Sequence, residues 1–313
     1  MSAVATKPRL GFLGVGWIGR KRLEALQAGG IAEVAAVADP AVDGALDSLD
    51  ELLEAELDGV VIATPSALHA EQALAALDRG LAVFCQKPLA LDAATARRVV
   101  DAARAADRPL AVDFCYRTTE AARRVREVVA GGELGDVFAA DLVFHNAYGP
   151  DKAWFRDPAL SGGGCAIDLG IHLVDLALWT LGFPEVESLE SALHGSPLER
   201  YAAVHARLAG GTTLRLACSW WLPAGRECVF EASFYGQHGG ASLHDVGGSF
   251  YDFTAERFDG TTTRMLAAPP DDWGGRAIRD WTRRLAAGDG FDPAADQIVR
   301  VHEVLDRIYG RQP

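Results

Sequence analysis

The stretch CAIDLGIHLVDLALWTLG (165–182) is apolar apart from a few positions, and its only acids and its only histidine are Asp168, His172 and Asp175. They fall at i, i+4 and i+7, so a helix would place them on one stripe. An imidazole and a carboxylate on one face suit proton transfer to or from a bound hydroxyl, because histidine titrates near neutrality. The competing reading is a solvated face. Solvated helices elsewhere in the chain, such as 119–130, carry Arg and Glu instead. Short Asp and His side chains just after Gly162-Gly163-Gly164 better fit a site that must approach a ligand. Asp168, His172 and, through H-x-x-D, Asp175 are also metal-ligand types. A catalytic metal needs about three protein ligands with supporting partners. Only His145 and His69 offer themselves from outside, so no metal is expected.

Elements able to position such groups are legible from the N-terminus onward. RLGFL (9–13) reads as a buried strand, Gly14-Val-Gly16-Trp-Ile-Gly19 as a tight turn, and RKRLEALQA as a helix. EVAAVA (33–38) follows as a second strand, ending at Asp39. Strand, G-x-G-x-x-G, helix, strand and acid in this order describe a dinucleotide cradle. Gly14 permits the turn, Gly16 lets the backbone approach a pyrophosphate, and Gly19 lets helix and strand pack. The helix start, with Trp17 and Ile18, offers unpaired N–H groups to the phosphates. Asp39 can accept from the adenosine ribose hydroxyls and would repel a 2′-phosphate. From Leu23 to Asp78 there is no Lys or Arg to clamp such a phosphate. NAD is therefore the expected cofactor, with NADP disfavoured.

The alternation continues through a helix at 47–57 and a strand at 59–63, punctuated by Thr64-Pro65-Ser66. A helix at 67–80, a strand at 81–85 ending in Gln86-Lys87-Pro88, a helix at 91–106 and a strand at 109–116 follow. Short apolar strands separated by helices predict an α/β, doubly wound parallel sheet. Ligands on such sheets bind beyond the carboxyl ends of the strands, where Asp39, Thr64, Lys87 and Arg117 fall. Residues 146–164 read as a loop carrying Trp154, Phe155 and Arg156. Strands are then expected at 137–145, 185–193, 201–208, 212–220, 227–235 and 249–258. Turns are expected at Gly210-Gly211, Gly239-Gly240 and Asp259-Gly260, and helices at 271–287 and 293–309. Trp220 and Trp221 suit core or interface packing better than a substrate platform.

Composition narrows the class. The 313 residues are 49% hydrophobic and 23% charged, with a formal charge of −13 and a sequence pI of about 5.0. Such a chain is globular and has no basic footprint for nucleic acid. Its N-terminus lacks the basic and apolar regions of a secretory signal, and no apolar run approaches the ~18 residues that span a bilayer. Five cysteines without a C-x-x-C pair argue against a disulfide framework and for a reducing cytoplasm.

The ordered set LGFLGVGWIG, ATPSALH, QKP and GGGCAIDLGIHLVDL resembles the Gfo/Idh/MocA family of NAD(P)-dependent oxidoreductases over nearly the whole chain. The resemblance implies an N-terminal Rossmann domain, residues 1–117. It implies a second α+β domain, 118–313, built on a large, open, mainly antiparallel sheet, with the last helix free to pack back on the first domain. Sugars, inositols and related polyols are the implied substrates. Lys87, Asp168 and His172 become the implied catalytic residues, with His172 the general base. Asp168 would hold the substrate hydroxyl or orient His172, and Lys87 would meet the carbonyl oxygen. Arg117 and Trp154 would add substrate contacts. Cofactor contacts would come from Gly14, Gly16, Trp17, Ile18, Gly19, Asp39, Thr64, Pro65, His69, Gln86 and Lys87. One departure is visible: the family's glutamate before the lysine is Gln86 here, which removes a carboxylate beside Lys87 and favours the neutral amine. The exposed sheet face is expected to form a homodimer or homotetramer. Two other functions share these residues: a glycosidase that uses NAD transiently, and a non-catalytic NAD(H)-binding regulator.

Overall fold

The computed structural model describes residues 7–311; residues 1–6, part of the segment read as lacking a secretory signal, lie outside it. The chain forms two compact units, one of residues up to Asp113 together with Gly274–Val299, the other of Phe114–Trp273 with the residues from Arg300.

The first unit runs β1 (Arg9–Leu13), α1 (Trp17–Gly29), β2 (Glu33–Ala38), α2 (Leu49–Leu52), β3 (Gly59–Ile62), α3 (His69–Asp78), β4 (Ala82–Cys85), α4 (Ala93–Ala105) and β5 (Leu110–Val112). The strands make a parallel sheet in the order β2-β1-β3-β4-β5. β3 and β4 are buried at every position, as apolar runs covered on both faces must be. Strand order reverses between β1 and β3, which opens a crevice at their carboxyl ends. Two expected elements come out shorter. α2 stops at Leu52 rather than 57, because Leu52 and Leu57 both pack against Gly11 of β1. Residues five apart on a helix point in different directions, so the chain leaves the helix between them. β5 ends before Asp113, whose side chain turns inward, and a tight helical turn, Cys115–Thr118, follows.

The segment Gly274–Val299 belongs with this unit rather than with the rest of 118–313. On α8 (Arg276–Ala286), Trp281 is 4% exposed and joins Leu10, Phe12, Leu26, Val61, Phe84 and Ile278 in one core. Its ring lies 5.7 Å from that of Phe84.

The second unit carries α5 (Glu120–Ala130), β6 (Val137–Asn146), α6 (Pro158–Ser161) and α7 (Ile171–Thr180). Then come β7 (Val186–His194), β8 (Tyr201–Leu208), β9 (Thr213–Ser219), β10 (Cys228–Gly236), β11 (Gly239–Asp245), β12 (Phe253–Asp259) and β13 (Thr262–Ala267). α9 (Asp296–Ile308) ends the described helices. The sheet order is β13-β12-β11-β10-β6-β9-β8-β7, antiparallel except for the parallel pair β6–β9. The sequence reading missed β11 and β13. β11 opens on Gly239-Gly240, read as a turn, but Gly239 adopts φ +130° where an added Cβ would lie 2.3 Å from the Phe258 carbonyl. β13 is a short, largely exposed edge strand. α5 and α7 pack on the sheet. On β8, Ala202, Val204, Ala206 and Leu208 are buried while Tyr201, His205 and Arg207 are exposed.

The helical run Pro158–Thr180 is long and apolar enough to cross a membrane, yet 78% of that window is buried within the protein, which makes it a core helix. All five cysteines are free and buried. Trp281→Ala should lower unfolding free energy by about 3–5 kcal/mol, read by urea denaturation of the whole chain.

Candidate active site

The glycine turn is closed by sterics. Gly14 has φ +87°, and a Cβ on it would lie 2.6 Å from the Ala63 carbonyl oxygen; one on Gly19 would lie 2.2 Å from the Gly14 oxygen. α1 then starts at Trp17, after its N-cap Gly16, with no side-chain cap and no acid in its first turn, so its positive dipole end suits an anion. Asp39 stands at the end of β2, half-buried. Its Oδ2 accepts from Val15 N (2.9 Å) and its Oδ1 from Ala41 N (3.0 Å). Each carboxylate oxygen keeps a further lone pair for a ribose hydroxyl. A bare turn, an uncapped helix start and a fixed carboxylate fit a dinucleotide without a 2′-phosphate.

The next two strand ends are braced by His69. Its Nδ1 lies 2.7 Å from the Pro88 carbonyl oxygen and its Nε2 2.8 Å from that of Thr64. The ring is 1% exposed. His69, expected at the cofactor, thus ties the turn after β3 to the turn after β4. Both ring nitrogens face backbone carbonyls, and the neutral imidazole donates its one N–H to one of them, so the side chain works as a brace. Burial holds its pKa below the ordinary histidine value, with the Lys87 charge acting in the same direction. The Thr64 hydroxyl donates to Gln72 Oε1 (2.6 Å), and Pro65 leads into the turn Ser66–Leu68. Gln86 is 7% exposed, and its Nε2 donates to Asp113 Oδ2 (2.5 Å). The same oxygen accepts from Arg22 Nε (2.6 Å). Lys87 is half-buried. The Asp113 carboxylate, paired with Arg22, thus lies against Gln86.

In the second unit Asp168 lies on a single wide turn, Ala166–Gly170, with π-type bonding, and His172 on the first turn of α7. The sequence had predicted uninterrupted α-helix there. Such widened turns recur at functional sites. Trp220 Nε1 donates to Asp168 Oδ2 (3.0 Å). His172 is 6% exposed, with its ring edge-on to Tyr116 at 4.8 Å and 87°. Asp175 does not share their surroundings: it is buried and accepts from Arg117 through Nε (3.0 Å) and Nη2 (2.5 Å). That bidentate pair accounts for Arg117, expected at the substrate, whose guanidinium also lies 4.8 Å over the Phe114 ring. The polar stripe divides accordingly, with Asp168 and His172 on one side and a structural ion pair on the other. Trp154 is half-buried and stacks on Phe155 at 3.8 Å.

The triple glycine meets protein rather than leaving room for ligand. A Cβ on Gly163 would lie 2.2 Å from Tyr309 OH, and one on Gly164 2.1 Å from the Glu199 carbonyl oxygen. Glu199, 6% exposed, accepts at Oε1 from Gly164 N (2.8 Å), Ala166 N (3.0 Å) and Tyr309 OH (2.7 Å). Tyr309 OH in turn accepts from Ile167 N (3.1 Å). This carboxylate anchors the wide turn that carries Asp168. Burial, then the Glu199 charge, push the Tyr309 hydroxyl pKa far up. Neither residue was singled out from the sequence, since each lies far along the chain from 164. Trp220 and Asp113 were likewise not seen as partners. The one available signal was an aspartate inside the apolar run LAVDFCY.

A dinucleotide cradle on a parallel sheet is joined in one chain to an eight-stranded sheet unit bearing Asp168 and His172. Residues 8–114 match the family model for an oxidoreductase family with an NAD-binding Rossmann fold, and residues 122–242 match that for the GFO/IDH/MocA C-terminal domain. The chain belongs to the Gfo/Idh/MocA family. It is 37% identical over 141 residues to D-glucoside 3-dehydrogenase of Escherichia coli (strain K12), covering 45% of this chain and 40% of that protein. It is 35% identical over 162 residues to inositol 2-dehydrogenase of Mycolicibacterium gilvum (strain PYR-GCK), covering 51% and 44%. The chain thus spans about half the length of the curated relatives it matches. The crystal structure of GenD2 from gentamicin A biosynthesis, in complex with NAD, superposes with a TM-score of 0.84 at 25% identity, covering 99% of this chain and 95% of that one.

Burial raises the Asp175 pKa to about 6, although Arg117 opposes the shift. The folded state therefore holds this proton more tightly than the unfolded chain does. The associated stability is fully present below about pH 4 and is lost as pH rises through about 6. Relative to Asp175→Asn, the wild-type protein should gain on the order of a few kcal/mol between pH 7 and pH 4, measured by urea unfolding at each pH.

Proposed function

We propose that this protein is an NAD-dependent dehydrogenase that reversibly oxidises a secondary alcohol of a sugar, inositol or sugar-derived substrate. What carries the reading is the Asp168–His172 pair on a core helix, with Asp168 held by the Trp220 indole, in a chain that also bears a cradle for the cofactor. The relatives named for a D-glucoside and for inositol favour a polyol.

Bound NAD supplies the hydride acceptor. The chain's residues supply orientation and proton transfer. His172 takes the hydroxyl proton as the carbinol hydride leaves, yielding a ketone, and returns it in the reverse direction. The Trp220 N–H orients the Asp168 carboxylate, which holds the substrate hydroxyl or orients His172. Lys87 donates to the oxygen that becomes the carbonyl, where negative charge develops on the reduction path. Tyr116 limits the rotation of the His172 ring and shields it from water. Asp39 selects NAD over NADP by accepting ribose hydroxyls and repelling a 2′-phosphate.

The exposed face of the eight-stranded sheet, with Tyr201 and Tyr235 each 37% exposed, is the proposed contact of a homodimer or homotetramer. A concentration-independent monomer mass in light scattering would refute it. Five free, buried thiols support a reducing, cytoplasmic setting.

A panel of polyols, amino sugars and sugar phosphates with NAD, followed at 340 nm, tests the activity. NADH should accumulate in step with product; product release without it would mark a glycosidase, and turnover of any polyol excludes a non-catalytic regulator. Lys87→Ala and His172→Ala should each cut turnover by roughly 10²–10⁴-fold while NAD still binds. Near-wild-type rates in both variants end the assignment. In direct titration NAD should bind more tightly than NADP, and the reverse order would overturn the role given to Asp39.

A further inference from the structure

We propose that Asp113 is a positioning residue for the Gln86–Lys87 turn. Through its pairing with Arg22 it requires an amide at position 86 and leaves that amide's Oε1 as the acceptor offered to the dinucleotide. The proposal rests on the reading that this turn meets the cofactor.

The chemistry of the contact settles the orientation of the amide. Gln86 Nε2 lies 2.5 Å from Asp113 Oδ2. A carboxylate oxygen paired with a guanidinium accepts and does not donate, so the atom facing it is the nitrogen and the amide oxygen is turned away. Arg22 and Asp113 side chains are both 0% exposed, with Nε 2.6 Å from Oδ2. A buried ion pair of this kind is costly to break from one side. Backbone bonds remove the remaining freedom: Gln86 N donates to Ile62 O (2.9 Å) and Asp113 N to Cys85 O (2.8 Å). Gln86 is 7% exposed, and its Oε1, turned away from Asp113, stays open to solvent. An acceptor held in one direction at the edge of the interior suits a ligand hydroxyl or carboxamide N–H.

The same geometry explains the residue type. A glutamate at 86 would bring a second carboxylate to hydrogen-bond distance of Asp113, where two like charges cannot both be accommodated. The carboxylate that the family resemblance places at 86 stands in this chain at 113, one hydrogen bond removed. Arg22, on the second turn of α1, links that carboxylate to the helix that begins at the glycine turn. One buried network therefore joins the phosphate end of the cradle to the Lys87 turn.

NAD titration of the full-length protein, with thermal unfolding alongside, tests this. Gln86→Glu should weaken NAD binding about tenfold or more and lower the melting temperature. Gln86→Met, which removes both the acceptor and the donor to Asp113 without adding charge, should weaken NAD binding several-fold and lower the melting temperature less than Gln86→Glu does. Wild-type binding by Gln86→Glu overturns the proposal. So does a Gln86→Met variant that binds NAD as tightly as the wild type, a comparison that decides even if Gln86→Glu does not fold. Turnover surviving in Lys87→Ala would remove Lys87 from the reaction yet leave these binding differences standing, which separates the two readings.

Discussion

A guanidinium that water does not reach must find a carboxylate, and in this protein Arg22 finds Asp113. The pair joins the helix after the glycine turn to the end of the last parallel strand, and Gln86 joins it from the strand between. Unpaired, either charge would be strongly unfavourable in that interior. The register of three elements is therefore coupled through one oxygen atom, Asp113 Oδ2. The turns that present Gly14 and Lys87 rest on that coupling, and His69 secures the neighbouring pair of turns through two backbone carbonyls. These are internal braces, with the exposed groups at the strand ends left for ligand.

The second unit uses the same logic with a different carboxylate. Glu199 takes two backbone N–H groups and the Tyr309 hydroxyl at one oxygen, at the start of the segment that leads to Asp168 and His172. Gly163 and Gly164 are glycines because Tyr309 and Glu199 occupy the space a side chain would need. The wide turn after them aims Asp168 toward Trp220 while leaving His172 against Tyr116. Asp175 lies in the following turn of α7, where its ion pair with Arg117 ties the helix to Cys115–Thr118 and hence to Tyr116. A residue type that looks catalytic by spacing thus serves to hold the catalytic candidates in place.

The parallel sheet, its crevice and the cofactor class were legible because they depend on short-range patterns. Continuous apolar strands, glycines at fixed offsets and an acid at the end of β2 each act within a few residues of where they stand. The Asp168–His172 pair was legible for a similar reason, since helical spacing survives even with a widened turn between them. β11 and β13 were not, because glycines at a strand start and a short exposed edge both read as turn and loop. The partners of Asp168, Gln86 and Gly164 were also hidden. Trp220, Asp113 and Glu199 lie 52, 27 and 35 residues away from them, and no local pattern encodes which distant side chain closes a hydrogen bond.

By itself the chain's order of residues determined where strands and helices alternate, that the first turn has the form of a dinucleotide cradle, and which residue types are available for proton transfer. Local sterics and periodicity suffice for that. Which acids stay available and which become internal partners was decided only by the tertiary structure. Desolvation favours a partner for a buried charge or N–H, and the partners come from wherever the fold brings them. Asp175, Arg117 and His69 were taken up in this way, whereas Asp168 was oriented and Asp39 was anchored with lone pairs to spare.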